Sequence, residues 1–325
     1  MGRYPEIDLA RIVARPVGER GSLVELSGLA RPLEPADAAL LDKLPDQLGA
    51  RALRSVVDAT ADAARRGRPV AFMAGGHVIK TGCGPCLNQL IARGVPAVLA
   101  FNGAAAIHDF ELATLGRTSE DVEAGLDAGS FGMAEETTRT MNQLTTRAAA
   151  AGEGLGEALG CYLAEQAPHA DRSVLATAWR HGIPVTVHVA IGTDILHQHP
   201  TADGAAIGAT SLRDFRIFAA ALAGLSGGVV LNFGSAVLLP EVFLKALSVL
   251  LNLGESIVGL TTGDFDFIRH YRPTRNVVQR PTAGGRGPGF AITGHHEILI
   301  PLFTAGVLRS LEADNLPARA AAPRN

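Results

Sequence analysis

PVAFMAGG, residues 69–76, is a short apolar run that stops on two glycines, and PAVLAFNG, residues 96–103, repeats the pattern one helix later. Between them, CLNQLIARG has helical spacing and closes at Gly94. An unbroken apolar run bounded by glycine fits a parallel strand buried on both faces, where polar residues have no face to occupy. IPVTVHVA (183–190), GGVVLNFGS (227–235) and SIVGLTTG (256–263) extend the series to five predicted strands. SLRDFRIFAAALAGL, PEVFLKALSVLLNLG and HHEILIPLFTAGVLRSL read as helices, with Pro240 suited to a first turn. TSEDVEAGLDAG reads as a further helix opened by a Thr/Ser cap. Strand–helix alternation of this kind predicts an α/β fold: a Rossmann-like parallel sheet with helices on both faces. The expected divisions are an N-terminal arm over 1–34, a single α/β domain over 35–314 and a disordered tail over 315–325.

The bulk numbers narrow the class. The chain has 325 residues and a net charge of −3, so no basic excess points to nucleic acid as a partner. No apolar run reaches the ~18–20 residues that cross a membrane. MGRYPEIDLARIVARPVGERGS lacks the apolar core of a signal peptide, and three cysteines argue against a disulfide scaffold. A cytoplasmic protein is expected.

In parallel α/β folds, ligands bind beyond the carboxyl ends of the strands. Those ends read Gly75-Gly76-His77, Asn102-Gly103, Thr193-Asp194, Gly234-Ser235 and Thr261-Thr262-Gly263-Asp264. Glycine there admits a close backbone approach to phosphate, and the following helix N-terminus favours negative charge. Together they predict a nucleotide site. His77 and Lys80 are candidates for a pyrophosphate or substrate contact; a solvated loop is the plainer alternative. His108-Asp109, expected at a helix start, pairs an imidazole with a carboxylate and could move a substrate proton; a cap plus a packed histidine is the alternative. Asp194, His197 and His199 in DILHQHP suit a polar lid over an amine, and less well a metal. His295-His296-Glu297 could touch a ribose, with His295 the expected cofactor contact. Asp264 and Asp266 suit an ammonium group, and Arg269, Arg272, Arg275 and Arg280 a carboxylate or the cofactor phosphates. A rival reading starts from GGHVIKTGCGPC (75–86): a thiol oxidoreductase with a depressed Cys83 pKa and Cys86 as its partner.

FMAGGHVIKTG, AVLAFNGAAAIHDFELATLG, HGIPVTVHVAIGTDILHQH, GGVVLNFGSAVLLPEVFLKAL and LTTGDFDFIRHYRP, in that order, resemble the blocks of deoxyhypusine synthases over roughly residues 65–310. The resemblance implies a Rossmann-like fold and a homotetramer with NAD at the subunit interfaces. It also implies a polyamine or amino-acid substrate whose C–N bond is transiently oxidised to an imine. By position it carries NAD contacts to Thr81, Asn102, Gly103, Gly234, Ser235, Thr262 and Gly263, to which the first turn adds Gly76 and His77. It carries acidic substrate groups to Asp109 and near Asp194. The family's nucleophilic lysine falls at about Pro281, and no lysine follows Lys245. The family's histidine after the fourth-strand glycines falls near Leu239–Pro240, and the tryptophan near its nucleophile is missing, Trp179 being the only one. AFNGAAAIHDFELATLGRTSEDV also resembles NAD-dependent ornithine cyclodeaminase domains, whose lyase chemistry needs no covalent lysine. A non-catalytic NAD-binding relative is the remaining alternative.

Overall fold

Every residue of Val70–Ala74 is buried, because both faces of this strand are covered. Phe72 and Ala74 enter one core, while Ala71 and Met73 enter a second on the opposite face. The strand lies in a computed structural model that describes residues 5–312. Its strands are β1 (Ser22–Glu25), β2 (Val70–Ala74), β3 (Val98–Asn102), β4 (Arg117–Glu120), β5 (Val185–His188), β6 (Val229–Phe233), β7 (Thr261–Asp266) and β8 (Gly289–Thr293). Six of them form one parallel sheet in the order β5-β3-β2-β6-β7-β8. Counted within the sheet, that is third, second, first, fourth, fifth, sixth: the doubly wound order of dinucleotide-binding folds. The topology reverses between β2 and β6, so the crevice of such a fold opens above these two strands.

One face carries the helices Leu48–Arg65, Gly84–Ala92, Gly103–Leu115 and His296–Glu312, whose apolar residues share a core with Phe72, Phe101, Phe233 and Phe265. Phe72, Phe233, Phe265 and Phe303 pack ring against ring at 4.9–6.2 Å. Gly204–Ala221 and Leu238–Asn252 cover the other face through Phe218, Phe243 and Leu247.

The fifth predicted strand, 256–263, is displaced: β7 starts at Thr261 and runs to Asp266. Residues 256–260 are a loop, because a glycine with φ +70° at position 259 breaks the run. A sixth strand, β8, went unread because GFAIT is short and mostly half-buried at the sheet edge. TSEDVEAGLDAG is not one helix: Arg117–Glu120 pairs antiparallel with β1, and the helix starts at Val122 under an Asp121 cap. The β7–β8 crossover holds a three-residue helix, Tyr271–Pro273, and a π-helix, Thr274–Gln279.

The described part of the arm lies on the body. β1 pairs with β4, Ala30 N donates to Gly82 O, and Gln89 exchanges hydrogen bonds with the Leu33 backbone. The expected tail over 315–325 lies outside the described residues. At the β5 edge, Val187 N donates to Asp214 Oδ2 (2.9 Å) and Val189 N to Ser211 Oγ (3.3 Å). A Cβ on Gly156 would fall 1.8 Å from Val185 O, so only glycine lets this helix lie against the edge. Among the described residues no helix is long and apolar enough to cross a membrane.

Candidate functional site

The switch point is built from two glycine turns. Gly75 N donates to Phe233 O (2.9 Å), and Gly234 N to Phe265 O (3.0 Å). These bonds extend the ladder one residue past each strand. A Cβ on Gly75 would lie 2.5 Å from Gly234 O, and one on Gly234, whose φ is +66°, would lie 2.5 Å from His296 Cε1. Gly76 is packed against Ala104, with His108 Cδ2 3.3 Å from its missing Cβ. The glycines therefore let two backbones and two imidazoles converge above β2 and β6.

Around this point stand groups with hydrogen-bonding capacity left over. His296 Nε2 donates to Phe265 O (3.0 Å), so the ring proton is on Nε2. Its Nδ1 is buried with no partner. Asn232 Nδ2 donates to Asp264 Oδ1 (2.8 Å) and to Ser235 O (3.1 Å), leaving Asn232 Oδ1 buried and unpartnered. Burial pushes the Asp264 carboxyl up to about 6, against the hydrogen bond from Asn232. Asp266 accepts from Phe267 N (2.8 Å) at the end of β7. His77 is exposed at the rim, 5.8 Å from the His296 ring and 5.7 Å from Phe267, which stacks on His295 at 6.0 Å. Burial, then His296 and Lys80, hold the His77 pKa down.

His108 is in the second turn of Gly103–Leu115, not at its start. Its Nδ1 lies 2.8 Å from Thr118 Oγ1, and burial pushes its pKa down to about 4. Asp109, expected beside it in the site, points elsewhere. Its carboxylate accepts from Ser173 Oγ (2.6 Å), Val174 N (2.8 Å) and Leu175 N (3.1 Å), capping the helix Val174–Arg180. The residue is buried, and burial raises its pKa to about 6.

Beside the switch point, Asn102 Oδ1 accepts from Ala105 N (2.9 Å) as the cap of its own helix. A Cβ on Gly103 would lie 2.0 Å from Asp194 Oδ2, so the carboxylate rests on that helix N-terminus, where negative charge is favoured. Burial raises Asp194 to about 6. His197 Nδ1 accepts from Gly192 N and Asp194 N, and with Asp194 and Gly103 it lines a cavity of about 10 Å³, closed to a substrate. His199 does not join them. It is buried between Thr201 Oγ1 (2.7 Å) and Glu135 Oε2 (3.0 Å), so the DILHQHP triplet does not converge on a metal. Among the described residues no group of three His, Cys, Asp or Glu side chains is placed to hold one.

The other expected contacts have local partners. Thr262 and Gly263 lie inside β7, short of its carboxyl end, because the strand runs to Asp266. The missing Gly263 Cβ is filled by Leu231 and Val56, a packing role. Thr81 ends the helix Gly76–Lys80, its hydroxyl turned back to His77 O (3.0 Å). Ser235 Oγ accepts from Leu239 N (3.2 Å), starting the next helix. Arg272 is held by Glu241 (2.8 Å), which also bonds Asn276. Arg280 Nη1 donates to Asn276 Oδ1 (2.7 Å), so its side chain meets the same Asn276–Glu241 pair, while its carbonyl accepts from Arg286. Both guanidiniums are thus engaged along one Glu241–Asn276 network. Cys83 and Cys86 are buried, and burial pushes their thiols up to about 11 and about 12, opposite to a reactive dithiol.

Sequence reading missed Asn232, a lone amide inside VVLNF, and singled out His295 rather than its buried neighbour His296. It also missed Arg20, Glu111 and Thr118 around His108.

No protein-family model and no curated protein matches the chain. Solved structures do. The ternary complex of AgrE with ornithine and NAD+ superposes with a TM-score of 0.51 at 16% identity, covering 87% of this chain and 34% of AgrE. Unliganded AgrE gives 0.50 at 19% identity, covering 80% and 32%. A protein assigned as a deoxyhypusine synthase, from Entamoeba histolytica, gives 0.48 at 9% identity, covering 80% and 87%. The chain spans about a third of the AgrE length. At such identities the likeness is one of fold: the Rossmann-like α/β architecture expected from the sequence is the one observed.

Proposed function

We propose that this chain is an NAD-dependent enzyme that transiently oxidises a C–N bond of a small amine or amino acid. The observation that carries the reading is the switch point itself: two glycine turns in backbone contact, with His296 Nδ1 and Asn232 Oδ1 buried, unpartnered and able to accept hydrogen bonds from a ligand. An unpaired buried acceptor is costly unless something donates to it. A dinucleotide fits this donor demand through its ribose hydroxyls and carboxamide. Bound NAD would supply a hydride acceptor and, if the imine is reduced again, a donor. The bound ornithine and NAD+ of AgrE support the same pairing, since the fold match to that complex covers most of this chain.

On this reading Gly75, Gly76, His77, Gly234 and His296 surround the cofactor. Asp264, with Asn232, holds the substrate ammonium. His108 takes the proton that leaves the amine as its carbon loses hydride, and Lys80 lies close enough to bias that site electrostatically. Elimination or cyclisation is favoured over lysine-mediated transfer, because the chain has no lysine beyond Lys245. Exposed Phe267, Ile268, Tyr271 and Ile298 beside the rim suit a homotetramer that closes the crevice between subunits.

The test is direct. Protein purified natively is denatured and the supernatant analysed for dinucleotide, and the apo chain is titrated with NAD+ by calorimetry. Retained or micromolar NAD, with imine formation from ornithine or spermidine, supports the proposal. Binding without turnover indicates a non-catalytic relative, and no binding removes NAD from the account.

A further inference from the structure

His108 Nδ1 and Glu111 Oε2 compete for one hydroxyl. Thr118 Oγ1 lies 2.5 Å from Glu111 Oε2 and 2.8 Å from His108 Nδ1. Glu111 is 1% exposed and forms an ion pair with Arg20 Nη2 at 2.9 Å, and it also accepts from Thr137 Oγ1 at 3.1 Å. A carboxylate with these three donors only accepts, so the Thr118 proton is committed to it. The hydroxyl has no second proton to give. His108 Nδ1 must therefore carry its own proton and donate to Thr118, which leaves Nε2 bare. Cδ2, the carbon bonded to Nε2, is the His108 atom 3.3 Å from the missing Gly76 Cβ, so the bare edge faces the first glycine turn. Ser119, next to Thr118, holds φ +67°, a left-handed backbone that few non-glycine residues adopt.

The geometry points to Thr118, Glu111 and Arg20 as positioning residues that lock His108 in the Nδ1–H tautomer, with Nε2 presented to the switch point as a proton acceptor. The lock rests on the proposed role of His108 and extends it: the N-terminal arm, through Arg20, sets the state of the base. Burial holds His108 neutral near pH 7, where the tautomer matters. Tautomers fixed by the partner of the other ring nitrogen are the general rule for working histidines.

The experiment is long-range ¹H–¹⁵N correlation of the imidazoles in the full chain at neutral pH. The His108 signal is assigned by its loss in His108→Gln. Wild type is expected to show protonated Nδ1 and bare Nε2. Thr118→Val, nearly isosteric, should lose the Nδ1–H form as the major species, and Thr118→Ser should keep it. Arg20→Met leaves Glu111 buried without its cation. With that anchor gone, Glu111 no longer fixes the direction of the Thr118 hydroxyl, so the Nδ1–H share of His108 should fall, and an unchanged share in the folded variant removes Arg20 from the lock. Nε2–H at His108 in wild type overturns the proposal, whether or not any variant folds. So does an unchanged tautomer in a folded Thr118→Val. The spectra need neither cofactor nor substrate, so a chain that binds no NAD and a chain without the lock are separate results.

Discussion

Gly75 and Gly234 meet across the centre of the sheet: a Cβ on Gly75 would sit 2.5 Å from the Gly234 carbonyl oxygen. Both sides of that contact are main chain, so no side chain can swing away. Gly75→Ala should cost at least about 1–3 kcal/mol, as overpacking against a fixed neighbour does. Gly84→Ala is the control, since its Cβ would find ordinary contact at 3.6 Å. Its position inside a helix predicts a neutral or slightly stabilising change of up to about 1 kcal/mol. Urea unfolding of both variants checks the contrast. Equal stabilities would mean the turns do not touch.

Asp109 is a cap for a helix that begins 65 residues later in the chain. Asp109→Ala strands the Val174 and Leu175 amides in a buried setting and should lower stability by about 1–3 kcal/mol. Ligand affinity at the switch point should be unchanged. A folded, stable Asp109→Ala that loses ligand binding would return Asp109 to the site.

The three cysteines should differ in reactivity. Cys83 and Cys86 are buried with raised pKa values, whereas Cys161 is half-exposed. A native thiol titration at neutral pH should report Cys161 first, with Cys83 and Cys86 appearing only on denaturation. Rapid modification of Cys83 in the native protein would revive the dithiol reading.

Asp194 predicts a pH dependence with a definite sign. Its folded pKa is about 6, raised by burial. The unfolded value is about 3.9, so the folded chain binds the proton more tightly, and the associated stability is full below about pH 4. That contribution fades as pH rises through the folded value. Asp194→Asn removes it, so the variant should gain on wild type between about pH 4 and 7. Parallel stability curves for the two proteins over that window would contradict it.

Strands buried on both faces were legible because no residue in them has a polar face to serve; β2, β3, β5 and β6 lie within the predicted runs. β8 was not, since an edge strand with three half-buried residues carries no such signature. The first glycine turn was legible for a related reason: a doublet at a strand end has few other uses. Its neighbours were harder. His108 and Asp109 are adjacent letters, yet a helix sends them to different places, one to Thr118 and the other to Ser173. Arg20 and Glu111 are 91 residues apart, and only the folded arm brings them together. Thr262 and Gly263 misled because a shift of the strand moved them from a loop into the sheet.

The sealed flank at β5 sets a rule for growth of the molecule. Val187 and Val189 have already given their outward amides to Asp214 and Ser211, and the Gly156 helix sits against Val185 O. An incoming strand would find these positions taken on that side. Copies of this chain that associate there must therefore do so through side chains of helices and loops, so their contact can be dissolved by point substitutions without unravelling the sheet.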